Sequence, residues 1–186
     1  MKKNIAVFSS GRGGNFENIC NYFHNDKSVF VCLHVTNRID CISKKIADKR
    51  KIKTVLVAKK ELENASFCEV LVENNIHLIV LAGFLLKIPS YLVNSYNRKI
   101  INLHPSLLPK FGGKGMYGDN VHLKVLESGE KKTGITIHYV NEEYDSGDII
   151  FQTEIELSDG ESLETLREKI REIEYCFFPR VIKNLL

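Results

Sequence analysis

Asn102 and His104 stand two residues apart in the run Asn102-Leu103-His104-Pro105-Ser106-Leu107-Leu108-Pro109. The run follows a compact apolar segment, Lys99-Ile100-Ile101, which reads as the end of a buried strand. Side chains two apart on extended backbone share a face, so the amide and the imidazole point the same way. Pro105 and Pro109 bracket the rest of the run and stop both ladder pairing and helix continuation. In an open α/β sheet the carboxyl ends of strands are where ligands bind. An amide donor and a titratable ring fixed there suit acyl transfer, where donors aimed at a developing oxyanion supply roughly 3–4 kcal/mol each.

The elements that must position this pair can be read in chain order. Ile5-Ala6-Val7-Phe8 is a short apolar run that predicts a buried parallel strand. The glycine-rich turn Ser9-Ser10-Gly11-Arg12-Gly13-Gly14-Asn15 follows, and then a helix with Phe16, Ile19, Cys20 and Phe23 at helical spacing. Strand, glycine turn and helix form the layout of a phosphate cradle: glycines let the backbone approach an anion, and the helix N-terminus offers free N–H groups. The competing reading is a tight strand-to-helix turn with no ligand. The turn lacks a full GxGxxG pattern, and Asp40 reads as a cap for the next helix rather than a ribose-binding acid.

Strands are expected over 29–36, 53–57 and 76–82, with helices over 41–51, 61–75 and from Pro89 to Tyr96 between and after them. Repeated β-α alternation with short connections implies a parallel sheet with helices on both faces. After Pro109 the pattern changes. Phe111 to Gly118 is too rich in glycine for a regular element, and a short helix is expected over 121–127. Gly134–Val140 and Ile149–Leu157 alternate with period two and should form an antiparallel pair. Ser162 opens a long amphipathic helix, in which Pro179 predicts a kink or a break. The fold class expected is therefore α/β, a doubly wound, mainly parallel sheet with a C-terminal antiparallel strand pair and a long C-terminal helix, in a single domain over 1–186.

A chain of 186 residues, 44% hydrophobic and 26% charged, is ordinary for a globular protein able to bury a full core. Its net charge of +3 makes no case for nucleic acid but suits small anionic substrates. Five scattered cysteines without a CxxC pair argue for free thiols in a reducing compartment and against a metal site. No signal peptide or apolar run of spanning length is evident, so a cytoplasmic location without membrane association is expected.

The chain resembles the folate-dependent phosphoribosylglycinamide formyltransferases of the formyltransferase superfamily. The resemblance rests on Ser10-Gly11 with Gly13-Gly14-Asn15, Leu81-Ala82-Gly83-Phe84, the Asn102–Pro109 run, His138-Tyr139-Val140 and Asp145-Ser146-Gly147, in order and spacing over nearly the whole chain. The resemblance implies a Rossmann-like fold. It also implies transfer of a formyl group from 10-formyltetrahydrofolate, as co-substrate, to the amine of 5′-phosphoribosylglycinamide in purine biosynthesis, with no metal. Related tRNA-acting and hydrolytic relatives carry an extra domain, for which this length leaves no room.

The same resemblance implies residue roles. Asn102 and a cationic His104 would stabilise the oxyanion, with Asp145 close by to favour imidazolium and pass protons. Gly13, Gly14 and Asn15 would hold the ribose phosphate, Glu174 the ribose hydroxyls, and Lys110 would help bind phosphate. Phe84, Leu85, Leu86, Lys87, Ile88 and Asn102 would face the folate. Each residue also has a plainer reading. Asp145 can be a turn residue, Glu174 a solvated helix face and His138 a strand residue that packs or faces outward. His24, His34, His77 and His122 show no partner and carry no assignment. A formyltransferase acting on an amino sugar nucleotide and a non-catalytic nucleotide-binding domain remain as alternatives. Small-molecule substrates are the only partners implied, with the chain a monomer or weak homodimer.

Overall fold

The computed structural model describes residues 2–186. Seven strands form one sheet in the order β3-β2-β1-β4-β5-β6-β7. They are β1 Lys3–Phe8, β2 Val29–Thr36, β3 Lys53–Leu56, β4 Ile76–Leu81, β5 Ile100–His104, β6 Lys132–Tyr139 and β7 Ile149–Glu156. The first five run parallel, while β6 pairs antiparallel with β5, and β7 with β6. The helices are α1 Gly14–Tyr22, α2 Ile42–Lys49, α3 Lys59–Leu62, α4 Phe67–Glu73, α5 Ser90–Ser95, α6 Asp119–Glu127 and α7 Leu163–Asn184.

Strand alternation splits the core into two layers. From β1, Ile5 and Val7 join Phe16 and Ile19 of α1 and Leu166, Ile170 and Phe178 of α7 on one face. Ala6 and Phe8 join Leu62, Leu71 and Leu92 of α3, α4 and α5 on the other. Both faces being covered explains why β1 and β4 read as continuous apolar runs. The strand order reverses between β1 and β4, which opens a crevice beyond their carboxyl ends. Two bonds tie the loops that flank it: Ser10 N–H donates to the Gly83 carbonyl and Leu85 N–H to Ser10 Oγ, both at 3.0 Å.

Four local expectations are corrected. Strand β5 does not stop at Ile101, because its pairing with β6 carries it on through Asn102↔His138 to His104↔Thr136. The stretch 61–75 is two helices; at the break Asn64 Oδ1 accepts from Ser66 N–H at 3.0 Å, a local bond that competes with helix. Asp40 does not cap α2, whose N-cap is Cys41 without a side-chain cap bond. Pro179 does not end α7. It removes the N–H that would have reached the Tyr175 carbonyl, and Asn18 Nδ2 of α1 donates to that carbonyl instead, at 2.9 Å.

Candidate functional site

A cavity of about 350 Å³ occupies the crevice, within the range of about 300–1,000 Å³ usual for ligand sites. Three walls meet there. One is Gly13-Gly14-Asn15 at the start of α1, another is Leu81–Ile88 beyond β4, and the third is Asn102–Pro105 at the end of β5, facing the loops around Gly113–Gly118 and Asn141–Asp145.

The β5 end is held rigidly. Thr136 Oγ1 of β6 donates to the Ser106 carbonyl at 2.7 Å and accepts from Leu108 N–H at 3.0 Å. Gln152 of β7 donates to both Thr136 Oγ1 and the Leu108 carbonyl. The Pro-bracketed turn therefore fixes the direction of His104. The β6–β7 loop approaches through Gly147, where a Cβ would overlap the Tyr139 carbonyl. That loop presents Asp145 with φ 51°, a left-handed conformation that Asp tolerates better than most residues.

Asn102, His104 and Asp145 come together in the cavity, and His138 joins them. Asp145 Oδ2 lies 3.5 Å from His104 Nδ1 and accepts from Gly113 N–H at 2.9 Å. Its Oδ1 accepts from Asn102 Nδ2 at 3.3 Å and lies 3.6 Å from His138 Nε2. Asn102 Nδ2 also lies 3.1 Å from His138 Nε2, while His138 Nδ1 donates to the Tyr139 carbonyl at 2.9 Å. These bonds assign His138 a proton on Nδ1 and an acceptor at Nε2. His104 Nε2 donates to the Phe111 carbonyl at 2.7 Å, so the nitrogen turned to Asp145 is the one that can gain or lose a proton.

Charge follows from burial and these contacts. Burial pushes Asp145 upward, but its contacts with His138, His104 and the Gly113 N–H outweigh it, and the carboxyl sits below its ordinary value. For His104 burial wins: it lowers the imidazole more than Asp145 and the Phe111 carbonyl raise it. Burial thus works against a resting imidazolium, because the carboxylate compensates only part of the desolvation cost. A neutral His104 with a bare Nδ1 can accept a proton, and the resulting cation would be flanked by a carboxylate and a carbonyl.

At the cradle, Gly13 has φ 75° and a Cβ there would come within 2.8 Å of Ser43, so only glycine fits. Glu174 of α7 reaches across to it, accepting from Asn15 Nδ2 at 2.9 Å. Burial, opposed by the Asn15 bond and the Arg171 charge, pushes Glu174 up to about 7. Asn15 Oδ1 is sealed from solvent and has no partner among the described residues.

Of the Phe84–Ile88 wall, Ile88 is buried and Phe84 packs edge-on against Phe8, with ring centroids 5.2 Å apart. Leu85 is exposed at the rim, as is Tyr144 opposite, and Lys87 Nζ lies 5.5 Å from the Tyr144 ring centroid. Lys110 is not brought to the cavity. Its ammonium pairs with Glu130 at 2.8 Å, beside a separate surface depression. Among the described residues no cluster of His, Cys, Asp and Glu has metal-binding geometry, and no helix is long and apolar enough to cross a membrane.

Sequence reading missed His138, the Gly113 N–H, the Phe111 carbonyl and His122, which also lines the cavity. The parity of β6 held a signal for His138: Thr136 and His138 share a face, and both are buried polar residues amid aliphatic neighbours.

Comparison with known proteins shows the family. The profile of the family described as Formyl transferase matches residues 3–182. The chain is 37% identical to the Bacillus subtilis phosphoribosylglycinamide formyltransferase, over all of this chain and 95% of that one. It is 39% identical to the chloroplastic phosphoribosylglycinamide formyltransferase of Arabidopsis thaliana over 97% of this chain, but spans only 64% of that relative's length. The crystal structure of glycinamide ribonucleotide transformylase 1 from Geobacillus kaustophilus superposes with a TM-score of 0.90 at 32% identity, over the whole of both chains. The chain belongs to the formyl transferase family.

Proposed function

We propose that the chain transfers the formyl group of 10-formyltetrahydrofolate to the primary amine of 5′-phosphoribosylglycinamide, giving the formylated ribonucleotide and tetrahydrofolate. The observation that carries this reading is the convergence of Asn102, His104 and Asp145 at the junction of a glycine-walled helix N-terminus and the Leu81–Ile88 wall. An anionic nucleotide and a flat heteroaromatic donor are the two ligands those walls suit. The similarity to the Bacillus subtilis phosphoribosylglycinamide formyltransferase and the Geobacillus kaustophilus glycinamide ribonucleotide transformylase, over nearly all of each chain, supports it.

The ribonucleotide phosphate rests on the N–H groups at Gly13, Gly14 and Asn15. Its ribose hydroxyls meet Glu174, whose carboxylate is held by Asn15 Nδ2. The folate ring lies along Leu85–Ile88, with Leu85 and Tyr144 covering its exposed edge.

The amine attacks the formyl carbon and negative charge builds on the formyl oxygen. The Asn102 amide gives up its 3.3 Å bond to Asp145 and turns that N–H toward the oxygen, keeping its bond to His138. Neutral His104 takes the amine proton at Nδ1, becoming an imidazolium that Asp145 and the Phe111 carbonyl stabilise. It returns the proton to the departing folate nitrogen, directly or through Asp145 and a water. The His138 bond to Asn102 sets the amide's orientation.

The test is an assay of the purified chain with both substrates, following tetrahydrofolate formation. Turnover with glycinamide ribonucleotide is expected. A folded protein that binds neither ligand and yields no tetrahydrofolate would sink the reading.

A further inference from the structure

One buried polar side chain in the cavity takes part in none of these contacts. His122, one turn into α6, is 8% exposed and lines the cavity. It makes no hydrogen bond to any described residue, yet its ring nitrogens are not sealed as Asn15 Oδ1 is. Ring nitrogens that open into the cavity take their partner from whatever fills it, water or a ligand.

Its surroundings identify the ligand's charge. Helix α6 starts at Gly118 and Asp119, and Gly118 lines the same cavity as Gly13 and Gly14. Two helices of nine residues, α1 and α6, therefore turn their N-termini to one space. Asp119 does not spoil that polarity, because both its oxygens are held by Arg167 of α7. Asp119 also feels the charge of Arg12, which stands in the glycine turn before α1. The charged and titratable groups around His122 are Asp119 on its own helix, Arg167 of α7 and His104 of β5. Of the other carboxylates near the cradle, Glu174 is committed to Asn15, and Glu17 in the first turn of α1 lies 3.9 Å from Arg50.

We propose that His122 is a second anchor for the phosphate of the ribonucleotide, closing on it from α6 while α1 holds it at the cradle. The assignment rests on the reading of the cavity as a ribonucleotide site, and it goes beyond the cradle by naming a side chain that selects the phosphorylated form. The imidazole binds as the cation, so the dianion draws a proton onto it.

The test follows the His122 ring by NMR, with His122→Asn identifying its signals, during titration with inorganic phosphate and then with glycinamide ribonucleotide. A rise of His122 pKa by one unit or more with either ligand is the expected result. A ring unmoved by both overturns the proposal. Inorganic phosphate needs no turnover, so this readout survives a failure of the formyl-transfer reading. In kinetics, His122→Asn is expected to raise KM for the ribonucleotide at least tenfold, with KM for the folate and kcat within twofold. Equal loss toward both substrates, or a loss in kcat alone, would assign His122 to structure or to the reacting atoms instead. His122→Gln provides the same comparison if the asparagine variant does not fold.

Discussion

The carboxylate of Asp145 lies 3.5 Å from His104 Nδ1, on a residue whose φ is 51°. Both facts bear on replacing it. Asparagine tolerates the left-handed region as aspartate does, and its carbonyl oxygen can still accept from Gly113 N–H. Asp145→Asn is therefore expected to fold with stability within about 2 kcal/mol of the parent, since the Gly113 bond is weakened and the longer bond from Asn102 to the other oxygen is lost. The charge that stabilises imidazolium is removed, and turnover should fall about 10²–10³-fold, as for other losses of acid–base assistance. Steady-state kinetics beside a denaturant melt checks both parts, and wild-type turnover would take Asp145 out of the mechanism.

The pH profile carries a signed consequence. Burial lowers His104 and Asp145 raises it, with burial the larger influence. As the proton acceptor His104 must be neutral, so kcat/KM for the folate should decline on the acid side below the ordinary histidine value of about 6.5. Removing the Asp145 charge leaves burial less opposed. The residual activity of Asp145→Asn should therefore show this acid limb at lower pH than the parent, and a limb displaced upward would contradict a proton-accepting His104.

Much of this site could be read from residue order. The polar pair at the β5 end, the glycine turn after β1 and the Asp-Ser-Gly turn are local patterns whose chemistry travels with their spacing. The two-layer sheet was legible for the same reason, since apolar runs and helical periodicity are local. What could not be read depends on contacts between distant segments. His138 reaches the site only because β6 joins the sheet beside β5 and sets Asn102 opposite it. Lys110 follows the motif directly, yet the turn pinned by Thr136 points it outward to Glu130. The protonation of His104 is a balance of burial against one carboxylate, and burial is not written in neighbouring residues.

Glu174 trades stability for binding. Its carboxyl is pushed up to about 7, chiefly by burial, from the 4.5 of the free group. The folded state thus holds a proton more tightly than the unfolded chain, and stability falls as pH climbs from about 4.5 to 7, the deficit being complete above 7. At about 1.4 kcal/mol per pH unit, and discounted because the residue is only partly shielded, Glu174→Gln should gain about 1–2 kcal/mol at pH 8 and almost nothing at pH 4. The same change removes a charged acceptor for the ribose hydroxyls, so KM for the ribonucleotide should rise about tenfold at pH 8. Thermal melts at the two pH values test the first statement. Equal gains at pH 4 and 8 would show that burial of the charge is not the cause.

The bond from Asn18 to the Tyr175 carbonyl exists because Pro179 left that carbonyl without its helical donor. Asn18→Ala alone should strand a partly buried acceptor and cost about 1–2 kcal/mol. Pro179→Ala restores an N–H that can bond Tyr175 within α7, although it loses ring packing at a buried position. In that background the Asn18 side chain is redundant, and Asn18→Ala should cost less than about 0.5 kcal/mol, since the acceptor keeps a partner. The double-mutant cycle isolates this coupling from the packing loss, because the packing loss is common to both proline-free variants. Additive effects would mean that Asn18 contributes by some contact other than the Tyr175 carbonyl. The position matters for the site because α7 carries Glu174 one residue before Tyr175, and the same α1 helix that supplies Asn18 supplies Asn15. Loosening the α1–α7 junction should therefore raise KM for the ribonucleotide in Asn18→Ala while leaving KM for the folate near its parent value.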